Sequence, residues 1–483
     1  MTPQHSPRGT NSTPTTETHS SNASPPSSTE WAHDHAKGVR PLFWCEHAIV
    51  DGRVQSGVAI GVENGRFSSV TANSDPGEAT QLMGLSVPGF ANAHSHAFHR
   101  ALRSRTQADR GTFWTWRELI YTVAERLDPD NYHRLARAVF AEMATTGMSV
   151  VGEFHYVHHQ PDGTPYDNAN VMGEALLSAA AEAGIRITLL DTLYLHGGLD
   201  DGGYQPASGA QIRYRDSSAD VWADRVNELQ AQSGQQVGAA IHSVRAVDPA
   251  AIRVAAEWAA DANAPLHAHV SEQVAENEQC ALHHGCTPTA LLADAGALGP
   301  SFTAVHATHL TEHDIELLGS THSSVCMCPT TERDLGDGIG PTTELVAANV
   351  ELSLGSDSHA VVDHLIEARA VELDERLRSR QRGLHAAPEL LAMATRVGHH
   401  RLGWADAGEI TIGNRADLTT ISLDSVRTAG ATPNLAMETA VFAATASDIT
   451  SVVVDGERIV ADGRHVRIDV ADELRRSIEA VLS

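Results

Sequence analysis

The segment PGFANAHSHAFHR, which runs from Pro88 to Arg100, places His94 and His96 one residue apart. Side chains alternate between the two faces of a β-strand, so both imidazoles project to the same side. Histidine nitrogens are preferred ligands of zinc and related divalent ions. An isolated His-x-His pair is a weak signal, but this one follows an apolar run and a Pro-Gly break. The segment therefore predicts a strand that ends at a metal site.

Short apolar runs of strand length alternate with amphipathic runs of helical length over residues 82–396. A helix start is predicted at Asp248-Pro249, for example, where an N-cap acid precedes a proline. The predicted strands are eight in number, at residues 85–96, 149–156, 186–194, 236–244, 265–272, 302–310, 323–331 and 351–359. Eight strand–helix repeats favour an α/β fold built as a parallel (β/α)8 barrel of the TIM type. A doubly wound open sheet is the alternative arrangement.

Both flanks of the barrel region show short alternating strands joined by tight turns. Asp51-Gly52 is one of the pairs that supply the positive backbone angles needed in a hairpin. Two separated β segments that bracket a barrel predict one small β-sandwich assembled from both chain ends. We expect this composite domain to comprise residues 39–84 and 405–483, and the barrel to comprise residues 85–404.

Composition excludes several classes of partner. The formal net charge of −27 over 483 residues disfavours nucleic acid and anionic membranes. Residues 1–38 are rich in Ser, Thr and Pro, so we expect a disordered tail rather than a signal peptide. No apolar run reaches the roughly 18 residues of a membrane span. Cys326 and Cys328 lack the spacing of a zinc ribbon and are expected to be buried strand thiols. We therefore expect a cytoplasmic protein that binds a small molecule, and a homodimer.

Polar residues recur where the predicted strands end. Catalytic side chains of a (β/α)8 barrel lie at the carboxyl ends of its strands. One polar residue at a strand end is usually a loop contact, but a repeated pattern predicts a shared site. Six strands contribute to it: His94 and His96; Glu153, His155 and Tyr156; His242 and Arg245; His267, His269 and Glu272; His306 and His309; Asp357 and His359.

A mononuclear metal site of three or four ligands can be drawn from this set. His267 and His269 share one face of the fifth strand, so spacing alone does not choose between them. Only His269 has an acid three residues on, Glu272, which is suited to general acid/base chemistry beside a metal ion. Zinc is the first expectation for the ion, and iron also suits this donor set. The predicted ligands are His94, His96, His269 and Asp357.

The pattern of these residues resembles the amidohydrolase superfamily, and within it the branch with one metal that deaminates amidines and nucleobases. The resemblance implies metal-assisted hydrolysis of a C=N bond. Asp357 would accept the proton of the attacking water, Glu272 would pass a proton to the nitrogen and His306 would stabilise the tetrahedral adduct. The motifs that carry it are His94-x-His96, His269-x-x-Glu272, His306, Ser356-Asp357 and the closing segments 413–418 and 454–463.

Three longer strings are similar to the formimidoylglutamate deiminases, a histidine-degradation family within this branch. They are TFWTWREL at 112–119, EFHYVHH at 153–159, and CPTTE at 328–332 followed by LGDGI at 335–339. The resemblance implies that N-formimino-L-glutamate is hydrolysed to N-formyl-L-glutamate and ammonia. It also implies substrate contacts from His99, which replaces a glutamine common in relatives, and from Arg117, Tyr156, His242 and Arg245.

That substrate has two carboxylates, and Arg117 and Arg245 are suited to bind them. Arginine binds planar carboxylates through two parallel hydrogen bonds, so this match does not depend on the resemblance. One alternative is another deaminase or chlorohydrolase of the superfamily that acts on a heteroaromatic ring. Such an enzyme would need an aromatic slot in place of paired arginines. A remote, non-enzymatic alternative is a barrel that has lost its metal and serves as an assembly protein.

Overall fold

The strands of the described residues form two eight-stranded sheets and one short two-stranded hairpin. The structure is a computed structural model that describes residues 42–108 and 113–483, with side chains from 43–108 and 119–483. The predicted tail, residues 1–38, lies outside the described residues. In chain order the strands are β1 Leu42–Val50, β2 Arg53–Glu63, β3 Arg66–Thr71, β4 Thr80–Pro88, β5 Phe90–Ser95, β6 Met148–His155, β7 Arg186–Leu193, β8 Gly198–Asp200, β9 Gly203–Gln205, β10 Gln235–Ile241, β11 Leu266–Val270, β12 Phe302–His306, β13 Ser324–Met327, β14 Glu351–Leu354, β15 Leu418–Ile421, β16 Ile449–Val454, β17 Glu457–Ala461 and β18 Arg464–His465.

The central sheet is a nearly closed parallel barrel in which neighbours follow chain order from β5 through β6, β7 and β10 to β14. Each of these strands overlaps one of the eight predicted runs. The strands are buried along nearly their whole length, as expected for a parallel sheet covered by helices. The predicted α/β barrel is confirmed, and the alternative of an open doubly wound sheet is wrong.

Helices cover the barrel, and several begin at side-chain caps. Asp248 caps α5 as predicted, because its carboxylate accepts hydrogen bonds from the backbone N–H groups of Ala250 and Ala251. The helices of the described residues are α1 Phe113–Arg126, α2 Pro129–Thr145, α3 Val171–Ala183, α4 Ala219–Asn227, α5 Pro249–Asp261, α6 Val274–His284, α7 Pro288–Asp294, α8 Glu312–Ser320, α9 Pro329–Leu335, α10 Thr342–Ala347, α11 His364–Ser379, α12 Ala387–Ala392, α13 Gly398–Arg401, α14 Ala436–Phe442 and α15 Val470–Leu482.

The barrel closes where the chain beyond β14 meets β5. The backbone N–H groups of Ser356 and Asp357 both donate to the carbonyl of His94, at 3.0 Å each. The N–H of His96 donates in return to the carbonyl of Asp357 at 3.3 Å. Gly355 permits this approach, because a Cβ at that position would lie 2.7 Å from the Cβ of His94. Closure therefore fixes Asp357 beside the paired histidines.

The predicted first strand, residues 85–96, is two strands that belong to different sheets. β4 pairs with β1 and β15 in the second sheet, whereas β5 pairs with β6 in the barrel. Gly89 separates them and packs against β6, where a Cβ would lie 2.5 Å from the hydroxyl of Ser149. Both halves are buried, so the apolar pattern continues across the break. The predicted domain boundary between residues 84 and 85 falls within β4.

The second sheet combines both ends of the chain in the order β18-β17-β16-β15-β4-β1-β2-β3. Only the β1–β4 pairing is parallel, and the other neighbours are antiparallel. The small β domain predicted from both chain ends is thus confirmed as one continuous sheet. Its core contains Phe43, Ile60, Phe67, Leu82 and Val453, which come from both segments.

A buried ion pair joins the two sheets. Arg186, at the start of β7, donates to both carboxylate oxygens of Asp417, which directly precedes β15. The two side chains are 2% and 1% exposed. Trp404 covers the guanidinium, with its ring centroid 5.2 Å from the guanidinium carbon. The guanidinium also donates to Oδ1 of Asp455 at 3.1 Å, so it lies between two carboxylates, of which Asp417 is the buried one.

Replacing Asp417 with Asn is expected to lower the free energy of unfolding by about 3 kcal/mol, because it leaves the buried Arg186 with only Asp455, whose side chain is 34% exposed. Asp424→Asn is the control, since Asp424 is exposed and its carboxylate has no ion pair among the described residues. Urea unfolding followed by circular dichroism measures both. Equal midpoints for the two variants would contradict the role given to the pair.

Candidate active site

One pocket of about 130 Å³ opens at the carboxyl ends of the barrel strands. Side chains from distant segments meet there because parallel strands of a barrel all end at one rim. The predicted residues that line it are His96, His99, Tyr156, His242, Arg245, His269, Glu272, His306 and Asp357. His94 is fully buried and contacts Asp357. The side chain of Arg117, on α1, lies outside the described residues.

Four potential metal ligands converge beside this pocket. His94, His96, His269 and Asp357 each offer one atom within 4.8 Å of the others. The Nε2 of His94 lies 3.2 Å from the Nε2 of His269 and 3.2 Å from Oδ1 of Asp357. The Nε2 of His96 lies 3.3 Å from the same oxygen. His267 is not in the group, because its Nε2 bonds the carbonyl of Arg401 at 3.2 Å.

Backbone carbonyls fix the tautomers of two of these rings. The Nδ1 of His96 donates to the carbonyl of Phe154 at 3.0 Å, and the Nδ1 of His269 donates to that of His242 at 2.9 Å. With the proton on Nδ1, each Nε2 keeps its lone pair. Two lone pairs and the Asp357 carboxylate therefore face one small volume, an arrangement that fits a divalent cation.

The charge states in the cluster also suit a cation. Burial lowers the pKa of His94 to about 3, and it lowers the pKa of His96 and, more strongly, that of His269. Burial opposes ionisation of Asp357, but the hydrogen bond to His94 and the neighbouring imidazoles hold its pKa well below its usual value. Neutral imidazoles around an ionised carboxylate are the state that binds a metal.

Glu272 and His306 lie next to the cluster. The Nε2 of His306 is 3.9 Å from Glu272 and 3.8 Å from Asp357, and its Nδ1 is 3.5 Å from Glu332. Burial opposes a charge on His306, but these carboxylates raise its pKa well above the ordinary value. Burial also raises the pKa of Glu272. These two residues can hold a proton within reach of the cluster.

The backbone at the site departs from common conformations. Positive φ angles outside glycine cost on the order of 1–3 kcal/mol each and persist only where the surroundings enforce them. Several such residues lie at the strand ends that form the site: Ser271 (52°), His306 (69°), Ala307 (52°), Asp357 (38°) and His359 (58°). The rim of the barrel is therefore held in a specific shape.

Asn92 supports the closure of the barrel from within β5. Its side-chain oxygen accepts a hydrogen bond from the N–H of Ser356 at 2.9 Å, and its amide nitrogen donates to the Ser356 hydroxyl at 2.7 Å. Ser356 is thus fixed directly before Asp357. Asn92 lies two residues before His94, but nothing in the local sequence indicates that its partner is Ser356.

The predicted substrate-binding residues with described side chains also line the pocket. The Nε of Arg245 donates to Oε2 of Glu276 at 2.9 Å, and 29% of the arginine side chain stays exposed. The Nε2 of His99 lies 3.0 Å from the hydroxyl of Tyr156. The Nδ1 of His242 lies 3.3 Å from the hydroxyl of its neighbour Ser243. Together these residues offer a guanidinium, imidazoles and a phenol to a ligand.

Sequence reasoning missed several residues around the pocket. Tyr194 follows β7, so its position at a strand end was an available signal. Gln211 and Tyr214 lie in the long connection before α4, where no pattern marks them; Gln211 donates to the Tyr194 hydroxyl at 3.0 Å. Glu276 was missed although it lies only four residues after Glu272, in the first turn of α6.

A second group of possible ligands lies outside the pocket lining. His155, His158 and Asp191 are buried and also have ligand-type atoms within 4.8 Å of one another. Both oxygens of Asp191 are taken by Arg225, at 2.9 and 2.8 Å. The Nε2 of His158 donates to the carbonyl of Thr192 at 2.9 Å. Because an arginine already balances the carboxylate, we assign this group to the barrel wall and not to a metal.

Comparison with known proteins agrees with this geometry. The model of the Amidohydrolase family matches residues 85–459. The chain belongs to the amidohydrolase family. Its match to formimidoylglutamate deiminase of Pseudomonas aeruginosa is 33% identical over 83% of this chain and 90% of the relative. The match confirms the resemblance noted from the motifs.

Solved structures share the fold of this amidohydrolase. An amidohydrolase from Brucella melitensis superposes with a TM-score of 0.84 at 29% identity, covering 92% of this chain and 100% of the other. An adenosine deaminase from Xanthomonas campestris, solved with bound zinc, gives 0.76 at 21% identity, covering 91% and 97%. The family model and the relative at 33% identity make this protein a deaminase-type hydrolase, and its His–Asp cluster is a candidate metal site. Among its described residues, no helix is long and apolar enough to span a membrane.

Glu153 lies behind the ligand strand of this amidohydrolase. The Ser95 hydroxyl donates to one carboxylate oxygen at 2.6 Å, and the N–H of Ala97 donates to the other at 2.7 Å. The two donors, Ser95 and Ala97, are the sequence neighbours of His96. Burial of the carboxyl raises the pKa of Glu153 to about 8. The folded protein therefore holds this proton at neutral pH.

The raised pKa predicts the sign of a pH effect on stability. Between about pH 4.5 and 8 the carboxyl of Glu153 is protonated in the folded state and ionised in the unfolded state. Its contribution to the free energy of unfolding is therefore complete below pH 4.5 and is lost as pH rises towards 8. Within this range the free energy of unfolding falls by up to about 1.4 kcal/mol per pH unit. Glu153→Gln mimics the protonated acid and should flatten that slope, measured by urea unfolding from about pH 5 to 8. Glu228→Gln, at an exposed site, is the control. If the free energy of unfolding of Glu153→Gln falls with pH as steeply as that of the unaltered protein, Glu153 does not hold the proton.

Proposed function

We propose that this amidohydrolase is a formimidoylglutamate deiminase, which hydrolyses N-formimino-L-glutamate to N-formyl-L-glutamate and ammonia in histidine degradation. One observation carries the proposal: a single pocket is lined by residues of the His–Asp metal cluster, by Glu272 and by Arg245. The substrate has matching groups, with a C=N group on its α-nitrogen, an α-carboxylate beside it and a second carboxylate at the far end of its side chain. The relative at 33% identity supports the same choice.

Substrate recognition rests on Arg245 in this proposal. A guanidinium held by a buried acid keeps a fixed plane and offers its terminal nitrogens to a planar carboxylate. Tyr156, His99 and His242 supply further polar contacts for the amino-acid part. Arg117 is proposed to bind a carboxylate as well, and this stays a prediction because its side chain is outside the described residues.

The proposed cofactor is one divalent ion, most simply zinc, bound by three imidazoles and Asp357. The donor set, the fixed tautomers and the neutral histidines support this choice. Such an ion, when bound, supplies a water of lowered pKa and polarises the C=N group. The same donors also suit iron.

The reaction adds water to the formimino carbon and expels ammonia. Asp357 accepts a proton from the attacking water, and Glu272 passes a proton to the formimino nitrogen, which leaves as ammonia when the C–N bond breaks. His306, kept cationic by its carboxylate neighbours, stabilises the developing negative charge on the adduct. The other nitrogen stays bonded to carbon, so N-formyl-L-glutamate remains.

A second candidate function is deamination of a heteroaromatic ring. Four tyrosines line the pocket and provide faces for stacking: Tyr121, Tyr156, Tyr194 and Tyr214. Arg245 is the reason to rank the acidic substrate first, because a neutral ring would form no ion pair with a guanidinium that lines the pocket. Ammonia release from a panel of N-formimino amino acids and aminopurines separates the two. We further propose that the enzyme works in the cytoplasm as a homodimer.

The metal assignment predicts about one divalent ion per chain by elemental analysis. Asp357→Ala should abolish ammonia release and lower the bound metal, while the barrel stays folded because closure uses the backbone of this residue. Asp424→Ala, at an exposed site, is the control. Protein that holds no metal and gains no activity with added zinc or iron would refute the assignment.

Steady-state kinetics should separate binding from chemistry. Arg245→Met is expected to raise KM about 10- to 150-fold, because it removes a charge-assisted hydrogen bond to substrate. Glu272→Gln keeps the shape but cannot carry a proton, so it should mainly lower kcat. N-formimino-aspartate, shorter by one methylene, should be a poor substrate. A preference for a neutral aromatic amine, or an Arg245→Met enzyme with unchanged KM, would favour the second candidate.

A further inference from the structure

Glu276 lies outside the pocket lining, yet its carboxylate contacts two segments that enter it. It is the third residue of α6, and its side chain is fully buried. Oε2 accepts a hydrogen bond from the Nε of Arg245 at 2.9 Å. Oε1 accepts one from the backbone N–H of Ser271, also at 2.9 Å. Each carboxylate oxygen therefore has a different partner.

The contact to Ser271 sets the turn from which Glu272 projects. Ser271 connects the end of β11, which carries His269, to Glu272, and it has a φ of 52°. This left-handed conformation is unfavourable for serine, so it needs support from its surroundings. The carbonyl of Ser271 accepts a hydrogen bond from the N–H of His309 at 3.0 Å. Glu276 supplies the matching contact on the N–H side.

The contact to Arg245 fixes the orientation of the guanidinium. Because the group is planar, a hydrogen bond at Nε restrains the plane in which both terminal nitrogens lie. Arg245 lines the pocket, and Glu276 is its only ion-pair partner among the residues whose side chains the structure describes. Glu276 is therefore the fully buried carboxylate that restrains this guanidinium before a substrate binds.

We propose that Glu276 is a positioning residue that couples substrate binding to proton transfer. One buried carboxylate holds the anchor for the substrate carboxylate and the turn that carries the acid/base Glu272. This inference deepens the proposed function and rests on it for the roles of Arg245 and Glu272. A merely structural ion pair would stabilise the fold without setting the geometry of either group.

The first test is Glu276→Gln, which keeps the volume but places an N–H₂ group against one of two N–H donors. We expect kcat/KM to fall about 10- to 150-fold, divided between a higher KM and a lower kcat. Glu278→Gln is the matched control, because it makes the same change two residues along α6 at an exposed site. Glu276→Asp keeps the charge but is too short to reach both partners, and it should show the same divided effect.

A double-mutant cycle separates the two contacts. In the Arg245→Met background, Glu276→Gln should leave KM unchanged within about twofold, because the anchor is already lost, and should still lower kcat. Unaltered KM and kcat in Glu276→Gln and Glu276→Asp, with only a lower melting temperature, would overturn the inference and leave a structural ion pair. Fully additive effects on KM would overturn the link to Arg245.

Hydrogen exchange tests the Ser271 contact without any substrate. The peptide that spans residues 266–275 should exchange faster in Glu276→Gln than in Glu278→Gln, and equal rates would overturn this contact. Failure of the proposed function would appear as absent turnover of N-formimino-L-glutamate by the unaltered enzyme. Failure of the Glu276 inference would appear as variants that match the unaltered enzyme, so the two outcomes are distinct.

Discussion

The site depends on the hydrogen bonds that close the barrel at the His94 carbonyl. Two successive N–H groups, those of Ser356 and Asp357, donate to this one oxygen. Because both groups share this acceptor, the segment after β14 lies against β5, and Asp357 has a positive φ. The carboxylate is thereby carried to the Nε2 atoms of His94 and His96. The metal cluster is thus a consequence of how the sheet closes.

Burial determines the chemistry of the cluster and its surroundings. The net charge of −27 is spread over the whole chain, whereas buried charges are paired, as in Arg186 with Asp417 and Arg245 with Glu276. The imidazoles of His94, His96 and His269 stay neutral around the ionised Asp357, and nearby carboxylates favour the cationic form of His306. Under the proposed function, attraction for the anionic substrate would therefore be local, at Arg245, and not a property of the whole surface.

The pocket lining combines two kinds of segment. The cluster, Glu272 and His306 belong to strand ends, whose positions the barrel fixes. Other lining residues come from connections, including the segment with Gln211 and Tyr214 and the turn with Arg245. Connections tolerate change far better than strands do. The strand ends can therefore stay the same while the connections change the rest of the pocket.

Sequence alone was enough to predict the eight strands, the α/β barrel, the pair His94 and His96 and the acid beyond the fifth strand. These are local signals, because periodicity and short spacing follow from backbone geometry alone. It did not determine that residues 85–96 divide between two sheets, since both halves are equally apolar. Nor did it reveal the roles of Asn92 and Glu276, whose partners are remote in sequence or reached only through a turn. Those roles exist only once barrel closure and burial bring the segments together, because hydrogen bonds and ion pairs depend on distance in space.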